Sequence, residues 1–159
     1  MTVTGNRVGI TDSELEEFAD LVKMVMRDHG PLNLLLGDVD FKPQEYYNAI
    51  RLAVSEYNIL PPLSSVDFRG IPESVLFHWT AYYLMLSQTF LQLRNQSSVP
   101  TDNIGVIGID DKAGLYQGIA QNMKMQAKSA AKEYKVAQNI QSGYGSLSSG
   151  YAHVSRFQQ

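Results

Sequence analysis

The feature that most constrains this 159-residue chain is the apolar stretch from Val75 to Leu93. By length it approaches a membrane span. His78, Thr80, Ser87, Gln88, Thr89 and Gln92 interrupt it, however, and Gln88 and Gln92 share one face a turn apart. A helix that is apolar on most sides yet carries such groups belongs in the middle of a helical protein. The remaining segments must then be short amphipathic helices able to cover it, with Val75, Trp79, Tyr82, Leu86, Phe90 and Leu93 as the centre of the expected core.

The rest of the chain supplies such helices. Thr11 and Glu14 form a T-x-x-E capping pattern, whose side chains serve orphan N–H groups at a helix start. Leu15, Phe18, Val22 and Val25 follow at helical spacing, and Gly30-Pro31 supplies a stop. Leu32 to Leu36 is an apolar run too short to classify, and Asp38 to Lys42 reads as a turn. Pro43 suits the first turn of a second helix, with Tyr47, Ile50, Val54 and Tyr57 as its apolar face. Pro61 and Pro62 end it, because the residue before a proline is driven out of the helical region. Leu63 to Gly70 is a loop or extended segment, and Pro72 opens the third helix, which runs to about Arg94. Asn95 to Asn103 is a polar linker.

Ile104 to Ile109 (IGVIGI) is β-branched and glycine-punctuated and predicts a short strand or arm. Asp110 and Asp111 then cap a fourth helix from about Lys112 to Gln141. Within it Tyr116, Ala120, Met123, Ala127, Ala130, Tyr134 and Ala137 recur at alternating steps of four and three. That is a heptad seam of mostly small side chains, able to lie close against another helix, either a partner's or one of its own domain. Lys124, Lys128, Lys132 and Lys135 are expected on the polar face or along its edges.

The expected fold is mainly α: a bundle of about four helices over residues 11–141, an N-terminal segment 1–10, a short β arm at about 96–110 and a flexible C-terminal tail. Residues 143–159 are rich in Gly and Ser and cannot build a core alone. Tyr144, Tyr151 and Phe157 give this tail aromatic anchors for docking.

Charge is unevenly spread. Residues 1–111 hold 7 Lys/Arg and 15 Asp/Glu, a net −8, while residues 112–159 hold 6 and 1, a net +5. An acidic body with a basic end suits head-to-tail contact between copies or docking on an acidic partner. The alternative is a solvated face on the last helix. With no cysteine, disulfides, thiolate zinc sites and thiol chemistry are excluded. His29, His78 and His153 are far apart in sequence and form no metal-ligand spacing. Asp38 with Asp40 and Asp110 with Asp111 read as turn and cap residues and do not continue into a calcium loop. Gly105 and Gly108 lack the pattern of a phosphate loop. No catalytic constellation, cofactor or metal site is therefore expected. The first ten residues, MTVTGNRVGI, carry neither an apolar signal core nor an arginine-rich amphipathic run.

Residues 38–116 have a recognisable order. An acidic turn precedes a helix with Tyr47, Ala49, Ile50, Ala53 and Val54 that ends in YNILPP. Ile71-Pro72 then opens the long apolar helix ending near Arg94-Asn95, and a glycine-rich turn leads through Asp110-Asp111 to Tyr116. This half of the chain resembles the head-to-tail connector (neck adaptor) proteins of tailed bacteriophages. The resemblance implies a structural virion subunit at the neck, assembled in the host cytoplasm. It further implies a ring, commonly of twelve copies, between the portal protein and the next neck or tail protein around the DNA channel, with incidental contact to packaged DNA and no membrane. On this reading the interface would draw on Ile104, Val106, Ile107 and Ile109 of the arm. Tyr116, Met123, Ala127, Ala130 and Tyr134 of the seam and Tyr144, Tyr151 and Phe157 of the tail would join them. A tail-completion or baseplate-wedge component is the nearest alternative. A small DNA-binding or packaging accessory protein is the alternative of another class, distinguished by the salt dependence that phosphate contacts impose.

Overall fold

A computed structural model of the chain describes residues 12–28, 39–95 and 113–145. These form four α-helices: α1 (Asp12–Met26), α2 (Pro43–Ile59), α3 (Glu73–Asn95) and α4 (Ala113–Gly145), with a 3-10 turn at Phe68–Gly70 between α2 and α3. Among the described residues there is no strand. The expected IGVIGI arm, Thr11, the Leu32–Leu36 run and the Asp110-Asp111 cap lie outside them. α4 continues through Ser142 to Gly145, where a loose tail was expected. Extending an existing helix gains one hydrogen bond per residue fixed, so a glycine at its end does not stop it.

α1 ends earlier than Gly30-Pro31 suggests. The Asp28 N–H donates to the Lys23 carbonyl at 3.1 Å and the Arg27 N–H to that of Met24 at 3.3 Å. This is the doubly bonded helix terminus that usually carries glycine at its left-handed position. Here that position is Arg27, at φ 61°. The strain, on the order of 1 kcal/mol, turns Asp28 inward. Its buried carboxylate accepts the Asp40 N–H at 2.6 Å, the Phe41 N–H at 3.1 Å and the Tyr46 hydroxyl at 2.7 Å. Hydrogen bonds to a charged acceptor contribute roughly 1.5–3 kcal/mol each, which exceeds the strain. Asp28 thus joins the end of α1 to the start of α2. The Glu45 carboxylate caps α2 by accepting the Lys42 N–H at 2.7 Å.

The buried face of α2 is Tyr46, Ala49, Ile50, Ala53, Val54 and Tyr57. Tyr46 is fully buried and Tyr47 only half, because Tyr46 is the ring that reaches Asp28. On α1 the buried residues are Phe18, Ala19 and Val22, while Val25, expected inside, is exposed. Phe18 meets Phe68 of the 3-10 turn edge to face at 5.4 Å. Arg69, next to it, grips Glu14 with two bonds of 2.8 Å.

α3 is the central helix, started by the Pro72 carbonyl, which accepts the Val75 and Leu76 N–H groups. Trp79, Thr80, Ala81 and Tyr82 are all buried, so this turn is covered on every side. The apolar stretch does not stay buried to its end. Phe90, Leu91 and Leu93 are exposed, while the polar Gln88 and Thr89 face inward. The Thr89 hydroxyl is satisfied by the Met85 carbonyl of its own helix.

α4 packs along α3, with Ala120, Ala127 and Ala131 in the shared core. Lys124 reaches the Tyr82 hydroxyl, and Lys135 reaches the segment that leads into α3, so the two helices run antiparallel. The buried stripe follows the expected seam at Ala120, Met123, Ala127, Ala130 and Tyr134, then departs to Ala131 and Lys135, leaving Ala137 exposed. A straight helix of 3.6 residues per turn drifts by about 20° per heptad from a 3.5 repeat, which shifts the contact by one residue at that end.

The Tyr46 phenol is raised above its ordinary 10.0, first by burial and then by its bond to Asp28. Burial also raises Tyr57 and Tyr83. A phenol that keeps its proton longer when folded stabilises fully below the unfolded value. That contribution is lost as pH rises from 10 towards the folded value. Tyr46→Phe is expected to cost about 1–2 kcal/mol at neutral pH and to flatten the stability loss above pH 10, measured by urea unfolding across pH. An unchanged alkaline slope would contradict this.

Candidate assembly surface

Among the described residues no group of His, Asp and Glu side chains could hold a metal ion. None of the helices of these residues is long and apolar enough to cross a membrane. The best-formed concavity among them is a shallow dent of about 230 Å³ lined by Glu16, Ala19, Asp20, Lys23, Pro43 and Tyr47. Lys23 and Asp20 already pair in it at 2.8 Å. His78 is half-buried, with Nδ1 against the Ser74 carbonyl.

The candidate functional features are therefore faces. Three stand out, each from a different part of the bundle. At the linker end of the α3–α4 hairpin, Phe90, Leu91 and Leu93 on α3 and Leu115 and Ile119 on α4 are exposed, Leu115 by 69%. The antiparallel pairing brings the last turns of α3 and the first turns of α4 to the same end. Isolated exposed apolar side chains are ordinary, but five at one end of a hairpin put much apolar surface there. The second face is the outer side of α4, where Met125, Lys128, Lys132 and Val136 are exposed. At about 100° per residue they fall within one quarter of the helix circumference. The third is the outer side of α1, where Glu17, Asp20, Leu21 and Met24 are exposed.

The seam named from the sequence is taken up by the chain itself. Ala127 has 0% exposure and belongs to the core cluster with Trp79 and Val75. Met123, Ala130 and Tyr134 are partly buried against the same cluster, and Tyr116 is half-buried. A side chain with no free surface meets no partner while the bundle is folded, so Ala127 packs within its own chain, while Tyr116, Met123, Ala130 and Tyr134 keep part of their surface free. The small side chains that would allow a partner's close approach let α4 lie close on α3 instead. Tyr144 lies in the last turn of α4, and Ile104, Val106, Ile107, Ile109, Tyr151 and Phe157 lie outside the described residues.

Lys135 is the residue that sequence reasoning misplaced. It is buried, and its ammonium donates to the carbonyls of Tyr57 at 2.6 Å, Leu60 at 2.7 Å and Pro62 at 2.9 Å. It also stands 4.4 Å from the centre of the Tyr57 ring. An ammonium has three protons to donate, and here each has an acceptor. Burial draws its pKa below the ordinary 10.5. A lysine on the buried edge of an alanine stripe was the available signal: at positions 127, 131 and 135 it continues the stripe at i, i+4, i+8.

Ala127→Glu places a carboxylate where there is neither space nor a partner. The expected result is loss of cooperative unfolding in the isolated chain, by circular dichroism, with a cost of about 3 kcal/mol or more. A folded but assembly-defective variant would show instead that the stripe serves a partner. Comparison with known protein families, with curated proteins and with solved structures gives no match.

Proposed function

We propose that this chain is a structural subunit of the head-to-tail connector of a tailed bacteriophage, acting by oligomerisation and without turnover. The observation that carries the reading is the exposure of five apolar side chains at the linker end of the α3–α4 hairpin, Phe90, Leu91, Leu93, Leu115 and Ile119. A hairpin that leaves its apolar end in water is suited to completion by another protein. Further support comes from the resemblance over residues 38–116, within which α2 ends at the Pro61-Pro62 step and α3 is started by Pro72. In this reading the partners are further copies in a ring, the portal protein and the next neck or tail protein. The location is the neck of the virion.

Mass spectrometry of purified particles of the phage that encodes the chain tests this directly. The chain is expected at a fixed ratio to the portal protein, close to one to one if the ring has twelve copies. Substituting Phe90→Ser with Leu93→Ser is expected to deplete it from particles while leaving the isolated domain folded, because both positions are exposed. Particles without the chain would overturn the proposal.

A further inference from the structure

The outer faces of α1 and α4 match each other in kind and oppose each other in charge. On α1, Glu17 and Asp20 are exposed beside Leu21 and Met24; on α4, Lys128 and Lys132 are exposed between Met125 and Val136. Each set occupies about a quarter to a third of its helix circumference and combines two like charges with two apolar side chains. The charges are exposed and little engaged within the chain. Asp20 pairs with Lys23 at 2.8 Å on the surface, where such a pair is weak. α4 packs on α3, and both faces point away from the core that α1 and α4 help to form. The two faces of one copy therefore cannot close on each other.

We infer that the acidic outer face of α1 in one copy docks on the basic outer face of α4 in the next, as a head-to-tail contact between copies of this chain. Leu21 and Met24 would lie against Met125 and Val136, with Glu17 and Asp20 beside Lys128 and Lys132. Such a contact uses a different surface on each side, so it propagates around a closed ring or along a filament. The opposed charges orient the approach and disfavour α1–α1 and α4–α4 pairing. The inference deepens the connector reading by naming the contact between neighbours, and it rests on that reading only for the closure of the ring.

The test is a charge exchange followed by sedimentation velocity of the full chain in low salt. Wild type is expected to associate in the micromolar range and to weaken at least tenfold in 0.5 M NaCl. Glu17→Lys with Asp20→Lys, and separately Lys128→Glu with Lys132→Glu, are each expected to be folded by circular dichroism and monomeric. An equimolar mixture of the two is expected to associate again, since both alternating contacts then join opposite charges. The chain carrying all four changes is expected to associate alone. Should a reversal disturb folding, Lys128→Gln with Lys132→Gln is expected to weaken association about tenfold. A wild type that stays monomeric, single reversals that associate like wild type, or a mixture that stays monomeric each overturns the inference. Intact charge-exchange behaviour in a protein missing from virions would sink the connector reading alone.

Discussion

One buried ammonium joins three parts of this bundle. Lys135, in the second half of α4, donates to carbonyls of Tyr57, Leu60 and Pro62, where α2 gives way to the connection into α3. Without it these oxygens would face the flank of α4 with no donor, and an unmade buried hydrogen bond costs on the order of 1–3 kcal/mol. The charge itself is costly to bury, as the lowered pKa records. It is tolerated because every proton has an acceptor and the Tyr57 ring covers one side. Asn58 holds the same connection from within. Its side-chain amide donates to the Val66 carbonyl, while its oxygen accepts the Val66 N–H and the Ser64 hydroxyl. The chain reversal between α2 and α3 is thus fixed by polar contacts, and α4 is fixed to it.

That arrangement decides what remains outside. α4 contributes alanines to the core and bulk comes from the other side, from Trp79, Tyr82 and Val75 on α3 and from Tyr46 and Ile50 on α2. A helix that buries its small residues turns its larger ones outward, which is why Met125 and Val136 are exposed beside Lys128 and Lys132, and Leu115 and Ile119 are exposed in its first turns. Packing within the chain and the surface left for partners are two sides of one rotation of α4 about its axis. Asp28 has the corresponding role for α1. By drawing the end of that helix inward it leaves Glu17, Asp20, Leu21 and Met24 in solvent.

The helices were legible in the sequence, because periodicity and proline placement report them directly. Pro43 and Pro72 mark the starts of α2 and α3 to within a residue, and the Pro61-Pro62 step marks the end of α2. What covers each face was less legible. The heptad seam on α4 was visible, but period alone cannot tell a partner's helix from the chain's own α3. Val75 to Leu93 was expected to form the core to its end, yet its last turns bury Gln88 and Thr89 and expose Phe90, Leu91 and Leu93, because burial there depends on neighbours that hydropathy does not show. Asp28 and Lys135 were the hardest to read. Each is a charged residue buried by partners distant in sequence, Tyr46 for one and Tyr57 to Pro62 for the other, and no local pattern announces such pairs. The opposed charge of the α1 and α4 outer faces had a trace in the sequence, the −8/+5 division of charge, though not the residues that carry it.

The second half of α4 is kept in place by Lys135, whereas the first half is held by alanine packing against α3. Amide hydrogen exchange of the isolated protein, compared between wild type and Lys135→Met, tests this most directly. In Lys135→Met, protection of the amides of residues 132–140 is expected to fall by about tenfold to a hundredfold, roughly 1.4–2.8 kcal/mol, while that of residues 120–127 is retained. Equal protection along all of α4 in both proteins would contradict it.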